Sequence, residues 1–332
     1  MSHYIQQPSI VAKAYMRIRL YLHETPILQS ETINELLNAE IYFKADSLQK
    51  TGAFKVRGVL NHLLTLQEQN QLPQKIVAYS TGNHGIGLAW TAKMLGIHAR
   101  IYLPRDTSSV KQQAAVYYGA EVICTNTRKD AELQSKNDVA NGFYYLHPSD
   151  SDTTIAGAGT MCYEALQQLK FSPDAIFASC GGGGLISGAY LAKELLSPSS
   201  LLIGCEPWLA NDAFLSLKND QIFSFTESPA TIADGLRTLA LSERTFKYLQ
   251  KLDGFLLAQE YEIYYWTAWL IHLLKVACEP SCALAMACAQ NWLKTQSSSS
   301  RKILVLLSGG NIDPILYREL WKEDYLLTTP QI

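Results

Sequence analysis

Between Lys75 and Cys124 short apolar runs alternate with amphipathic segments that end at glycines, and this rhythm leaves the chain few architectures. Lys75–Tyr79 reads as a strand, and a Gly-Asn-His-Gly turn then opens an apolar-periodic helix over Ile86–Leu95, stopped by Gly96. His98–Leu103 is the next strand, Ser108–Tyr118 a helix stopped by Gly119, and Glu121–Cys124 a third strand. Strand–helix–strand order repeated in this way implies a parallel sheet with right-handed crossovers.

The same grammar returns downstream. Asp174–Ser179 is a strand, four glycines turn the chain, and Leu185–Leu196 is a helix; Leu201–Cys205 and Lys302–Leu307 are further buried strands. The charged stretch Asn126–Asn141 reads as a loop with a surface helix, and Ser197–Ser200 and Ser297–Ser300 as turns or loops. A chain of 332 residues, 48% apolar, is long enough for two domains or one large α/β unit.

Formal net charge is −2 with both signs interspersed, which leaves no footprint for nucleic acid or an anionic membrane. The most apolar stretch, Ile263–Leu274, falls well short of the roughly twenty residues of a membrane span and reads as a core helix. The first residues lack a basic, then apolar, secretory pattern. Seven cysteines without metal-type spacing read as buried thiols, so a cytoplasmic location is expected.

Four segments carry chemistry. Lys55 lies in Ser47-Leu-Gln-Lys-Thr-Gly-Ala-Phe-Lys-Val-Arg-Gly58, where Phe54 and Val56 suggest a partly buried amine. Burial lowers a lysine pKa and makes the amine a nucleophile and a base. Gly181, Gly182, Gly183 and Gly184 sit between a strand and a helix, where backbone N–H groups and the helix N-terminus can hold a phosphate. Ser80-Thr-Gly-Asn-His-Gly85 follows a strand and opens a helix; Ser80, Thr81, Asn83 and His84 suit a carboxylate or a ring oxygen. Ser308-Gly-Gly-Asn311 puts a hydroxyl at the carboxyl end of a parallel strand. An amine, a phosphate cradle, an anion pocket and a hydroxyl for a ring nitrogen together match pyridoxal 5'-phosphate held as a Schiff base.

These residues resemble the fold-type II pyridoxal-phosphate enzymes, in the serine/threonine dehydratase and serine racemase branch. Val56 and His84 stand where cysteine synthases and threonine synthases carry other residues. The resemblance implies an α/β, two-domain, tryptophan-synthase-β-like fold with helices on both faces of parallel sheets. The large domain is expected over 1–50 and 147–332 and the small one over 51–146, with a homodimer as the assembly. It further implies that Lys55 carries the cofactor beside Phe54 and that Asn83 contacts its phenolic oxygen. Gly181–Gly184 would hold the phosphate, Gly235 of Thr231-Ile-Ala-Asp-Gly-Leu-Arg237 would face the ring, and Ser308 would bond its nitrogen. Taken alone, Gly235 reads as a left-handed turn.

Glu206-Pro-Trp-Leu-Ala-Asn-Asp212 resembles the divalent-ion site of the racemase branch. That likeness implies magnesium, calcium or manganese held by Glu206, the Ala210 carbonyl and Asp212. The implied activity is β-elimination from L-serine or L-threonine to a 2-oxo acid and ammonia, with Lys55 as base. The alternatives are serine or aspartate racemisation, with Thr81 returning the proton, and 3-hydroxyaspartate ammonia-lyase activity. A non-catalytic binding protein on the same scaffold is argued against by the intact Lys55. Arg128 stands where racemase-branch enzymes carry a carboxylate-contacting arginine; alone it reads as a surface residue. No long extension follows Ser308, so a fused regulatory domain is not expected.

Overall fold

A computed structural model describes residues 5–79, 82–105, 107–296 and 300–331. Two sheets organise the chain, six-stranded β1-β2-β10-β7-β8-β9 and four-stranded β5-β4-β3-β6. Their strands are β1 (Ile27–Leu28), β2 (Ala39–Ala45), β3 (Lys75–Tyr79), β4 (His98–Pro104) and β5 (Glu121–Thr125), then β6 (Tyr144–Tyr145), β7 (Ala175–Ser179), β8 (Leu201–Pro207), β9 (Gly254–Ala258) and β10 (Arg301–Leu307). Among the described residues the strands pair in parallel, as expected, except at one edge, where the two-residue β1 runs antiparallel to β2. We propose that the sheets head two domains, 51–146 and the discontinuous remainder.

The central strands are apolar on both faces because helices cover both. On β10, Ile303, Val305 and Leu307 pack with the helices Glu260–Leu274 and Pro280–Leu293, while Leu304 and Leu306 pack with Asp152–Leu169 and Gly184–Leu196. β7 divides likewise, Phe177 to the first layer and Ile176 and Ala178 to the second. The 263–274 stretch is thus a core helix as expected, and no helix among the described residues is long and apolar enough to cross a membrane.

The helix Asp152–Leu169 meets two neighbours backbone to backbone. A methyl on Gly157 would lie 2.5 Å from the Arg57 carbonyl oxygen and 2.8 Å from Gly58 Cα, in the helix Lys55–Glu68. A methyl on Gly159 would overlap the backbone of Gly188, in the helix Gly184–Leu196.

Ser197–Ser200 is a turn, closed by the Ser200 N–H on the Ser197 carbonyl at 3.0 Å. Ser297–Ser299 lie outside the described residues. Asn126–Asn141 holds the helix Arg128–Ala140, which Thr127 and Asp130 start with a capping box. One cysteine corrects the expectation of buried thiols: Cys124 is exposed because β5 is a sheet edge, whereas the other six are buried.

Candidate active site

Three parallel strands deliver the site at their carboxyl ends. β3 runs toward the helix Asn83–Leu95, β7 into the tetraglycine loop and β10 into Ser308. Between them lies a cavity of about 310 Å³, lined by Phe54, Lys55, Asn83, His84, Gly235 and Ser308 as well as Gly181–Gly184 and Arg128. Ser80 and Thr81 lie outside the described residues.

Lys55 is the first residue of its helix and half-buried; its Nζ donates to the Pro148 carbonyl oxygen at 3.3 Å and sits 5.0 Å from the Phe54 ring centroid. Burial lowers its pKa from the usual lysine value to about 8. The Phe54 N–H donates to the Ser308 carbonyl oxygen at 2.9 Å, tying the lysine segment to the end of β10.

Two residues on, Arg57 enters a buried charge cluster. Its Nε and Nη2 donate to the two Asp46 carboxylate oxygens at 2.6 and 2.9 Å, and Nη2 and Nη1 donate to Glu164 at 2.9 and 3.2 Å. Lys44 Nζ donates to Glu164 at 2.6 Å, and all four side chains are at most 4% exposed. Burial works against the Arg57 charge, but Asp46 and Glu164 outweigh it and hold the guanidinium pKa above its ordinary value.

The glycine loop closes the opposite side. Gly183 has φ +79°, a conformation that side chains strain, and a methyl on Gly182 would lie 2.6 Å from Ser149 Oγ. At the end of β7 the Ser179 hydroxyl is buried beside the cavity without a hydrogen-bond partner. A phosphate fits this arrangement of small residues, helix N-terminus and spare donor. Gly235 corrects the expected left-handed turn: it lies in the 3₁₀ turn Asp234–Leu236, outside the positive-φ glycines. Its constraint is steric, since its N–H donates to Ser281 Oγ at 2.9 Å and a methyl would sit 2.9 Å from that oxygen.

His84 is buried, and its Nε2 donates to the Leu146 carbonyl oxygen at 3.0 Å. Burial, and then the Lys55 charge, lower its pKa to about 3, so it is a neutral imidazole at physiological pH. Asn83 Nδ2 donates to both Glu279 oxygens, at 2.9 and 3.1 Å. Arg128, the first residue of its helix, donates from Nη1 to the Arg237 carbonyl oxygen at 2.7 Å, with its guanidinium carbon 6.0 Å from the Tyr79 ring centroid.

Glu206 and Asp212 stand apart from the cavity lining, at the end of β8 and the start of the helix Asp212–Asn219. Both are fully buried. Glu206 accepts the Ala213 and Phe214 N–H groups at 3.1 and 2.9 Å, and Asp212 Oδ2 has no partner. Burial, joined by the neighbouring Asp212, raises the Glu206 pKa well above the carboxylate range, and burial raises that of Asp212 to about 7. Among the described residues no group of three or more His, Cys, Asp or Glu side chains forms a metal cluster. Two uncompensated carboxyls beside the buried Ala210 nevertheless suit a hard cation that also takes carbonyl and water ligands.

Lys111 escaped the sequence reading; Asp234 lies in the Thr231–Arg237 segment that shares in the resemblance, and Glu279 opens Glu279-Pro-Ser-Cys-Ala283, where the chain departs from the family's pattern near the cofactor edge. Lys111 Nζ donates to Asp234 at 2.6 Å and to Glu279 at 3.2 Å, joining residues 123 and 168 positions apart.

An amine of lowered pKa, facing a glycine-lined helix N-terminus across one cavity, is what a phosphorylated aldehyde requires of an α/β enzyme. The chain belongs to the pyridoxal-phosphate dependent enzyme family, whose model matches residues 18–309, and its fold is type II. It is 36% identical to an L-threo-3-hydroxyaspartate ammonia-lyase of Saccharomyces cerevisiae over 95% of this chain and 96% of that protein. It is also 36% identical to a serine racemase of Dictyostelium discoideum, over 91% and 94%. The solved maize serine racemase superposes with a TM-score of 0.87 at 33% identity, covering 96% of this chain and 98% of that one.

Proposed function

We propose that the chain catalyses β-elimination from a β-hydroxy amino acid, releasing a 2-oxo acid and ammonia, and that 3-hydroxyaspartate suits it better than L-serine or L-threonine. The observation that carries the substrate preference is Arg128, a guanidinium lining the same cavity as Lys55. No acidic side chain among the described residues is within ion-pair distance of Arg128. Its planar fork can therefore meet a second substrate carboxylate bidentately.

Bound pyridoxal phosphate supplies an electron sink for the charge left at the substrate Cα. Lys55, with a pKa of about 8, can hold the cofactor covalently and, once displaced, take the Cα proton. The glycine-loop N–H groups and the Ser179 hydroxyl are suited to its phosphate, and Ser308 offers a hydroxyl, not a carboxylate, to the ring nitrogen. A hydroxyl partner there would not enforce ring protonation, which would favour prompt loss of the substrate's β-hydroxyl. Glu206, the Ala210 carbonyl and Asp212 would hold magnesium, calcium or manganese in a structural or activating role. Six buried free thiols support action in the reducing cytoplasm.

The test assays 2-oxo acid release and enantiomer exchange on L-serine, L-threonine and 3-hydroxyaspartate, in the parent and in Arg128→Ala. We expect the variant to lose turnover selectively on the dicarboxylic substrate, by about tenfold or more, the scale of one charge-assisted contact. An unchanged ratio of serine to hydroxyaspartate turnover would remove the basis for the preference. Enantiomer exchange outpacing 2-oxo acid release would make the protein a racemase instead.

A further inference from the structure

Asn83 is held in an amide orientation that cannot be reversed cheaply. Its Nδ2 donates to Glu279, while its Oδ1 accepts from Asn311 Nδ2 at 2.9 Å. The Asn311 backbone N–H donates to Glu279 Oε1 at 2.7 Å, and Asn311 Nδ2 also donates to the Thr51 carbonyl oxygen at 2.9 Å. Flipping the Asn83 amide would set oxygen against carboxylate and NH₂ against NH₂, losing both contacts. Glu279 in turn is 1% exposed and meets donors only. Its cation is Lys111, 2% exposed and shared with Asp234. Burial opposes the Lys111 charge, but Glu279 and Asp234 overcome it and raise the ammonium pKa.

We propose that Lys111 and Glu279 are positioning residues for Asn83. The ammonium offsets the carboxylate charge, Asn83 Nδ2 donates to that carboxylate, and the amide so oriented would have a donor to offer the cofactor's phenolic oxygen. The inference rests on the cofactor reading above and adds to it a control of the cofactor's protonation. The titratable groups near Glu279 are Lys111 from the helix Ser109–Tyr117, Asp234 behind it from the 3₁₀ turn, and the thiols of Cys278 and Cys282, which meet the Glu279 backbone carbonyl. Without Lys111, the buried Glu279 and the half-buried Asp234 are left with no cation between them, and Glu279 would take up a proton more readily as the pH falls. A protonated Glu279 presents a donor to Asn83, and the amide loses its reason to point one way.

The experiment records the visible absorption of the bound cofactor in the holoenzyme across pH, with its dissociation constant, for the parent, Lys111→Met, Lys111→Arg and Glu279→Gln. We expect the parent to keep one ratio of its two tautomer bands from about pH 6 to 8. Lys111→Met should shift that ratio toward the phenol-protonated band, make it titrate in that range, and weaken cofactor binding about tenfold. Lys111→Arg should restore the parent ratio, which a merely structural defect would not predict. A folded Lys111→Met with the parent spectrum at every pH would overturn the proposal. Should Lys111→Met not fold, Glu279→Gln decides: a shifted ratio supports the role of the carboxylate, and an unshifted one refutes it. A parent that shows no cofactor band at all would instead overturn the cofactor reading itself, and this inference with it.

Discussion

Arg57→Met should be among the costliest single substitutions in the molecule, although the side chain never reaches the cavity. Glu164 would keep Lys44 at 2.6 Å, but Asp46, fully buried, would keep only the Thr25 hydroxyl at 2.7 Å. Removing one partner of a buried ion pair costs about 3–5 kcal/mol, because the other charge stays buried and uncompensated. The expected loss in unfolding free energy near neutral pH is therefore about 3–5 kcal/mol, read by urea denaturation of the cofactor-free protein. A stripped, buried carboxyl has a raised pKa in the folded state and binds a proton there before it does in the unfolded chain. The penalty must then shrink as the pH falls toward about 5 and be largest above neutrality. Adding Asp46→Asn, which removes the orphaned charge, should recover about half of the loss. A cost below about 1 kcal/mol, or a double variant no more stable than Arg57→Met, would show that the cluster is not a mutually dependent set.

Three further outcomes follow from the geometry. Lys55→Ala should fold yet never acquire the bound-cofactor absorbance; in the parent, the rate of covalent cofactor attachment should climb through about pH 8 and not near the ordinary lysine value, because the neutral amine is the nucleophile. Gly183→Ala meets both a φ of +79° and a methyl 2.7 Å from Thr245 Cβ, whereas Gly96→Ala meets φ +69° with open space around it. Both should lose the roughly 1–2 kcal/mol of left-handed strain, and Gly183→Ala distinctly more, with weakened cofactor binding; equal melting temperatures would count against a tight loop. Divalent cation should raise the parent's melting temperature, worth about 2.7 kcal/mol at a hundredfold excess over its dissociation constant, and Glu206→Ala or Asp212→Ala should abolish the rise. Identical melting of the parent in magnesium and in chelator would dispose of that site.

What was legible in the sequence was local. A strand that ends in glycines and runs into a helix is written in neighbouring residues, so β3, β4, β7 and β10 and the loops after them could be read, and with them Lys55, Asn83, the tetraglycine and Ser308. The edge strands β1 and β6, two residues each, and the half-buried β9 carry too little pattern to be seen. Gly235 was misread because a glycine required by a neighbour's hydroxyl looks no different from one required by its own backbone. Lys111 was out of reach for another reason: nothing near it in the sequence hints that it will be dehydrated between two carboxylates brought from far along the chain. Arg128 lay between the two cases, a charged residue in a charged helix whose position at the first turn brings it over the cavity.

The glycines along Asp152–Leu169 make that helix a gauge block. One side abuts the helix that begins at Lys55, and the other abuts the helix that begins at the glycine loop, in both cases chiefly with peptide groups as the bearing surfaces. Side-chain volumes elsewhere in the core can drift with little effect on the span from amine to loop, because backbone atoms and the Asn61 Cβ set it. A single methyl at Gly157 or Gly159 would change that span directly. Cavity-lining groups such as Arg128 are thereby free to diverge while the spacing of these helices stays constant.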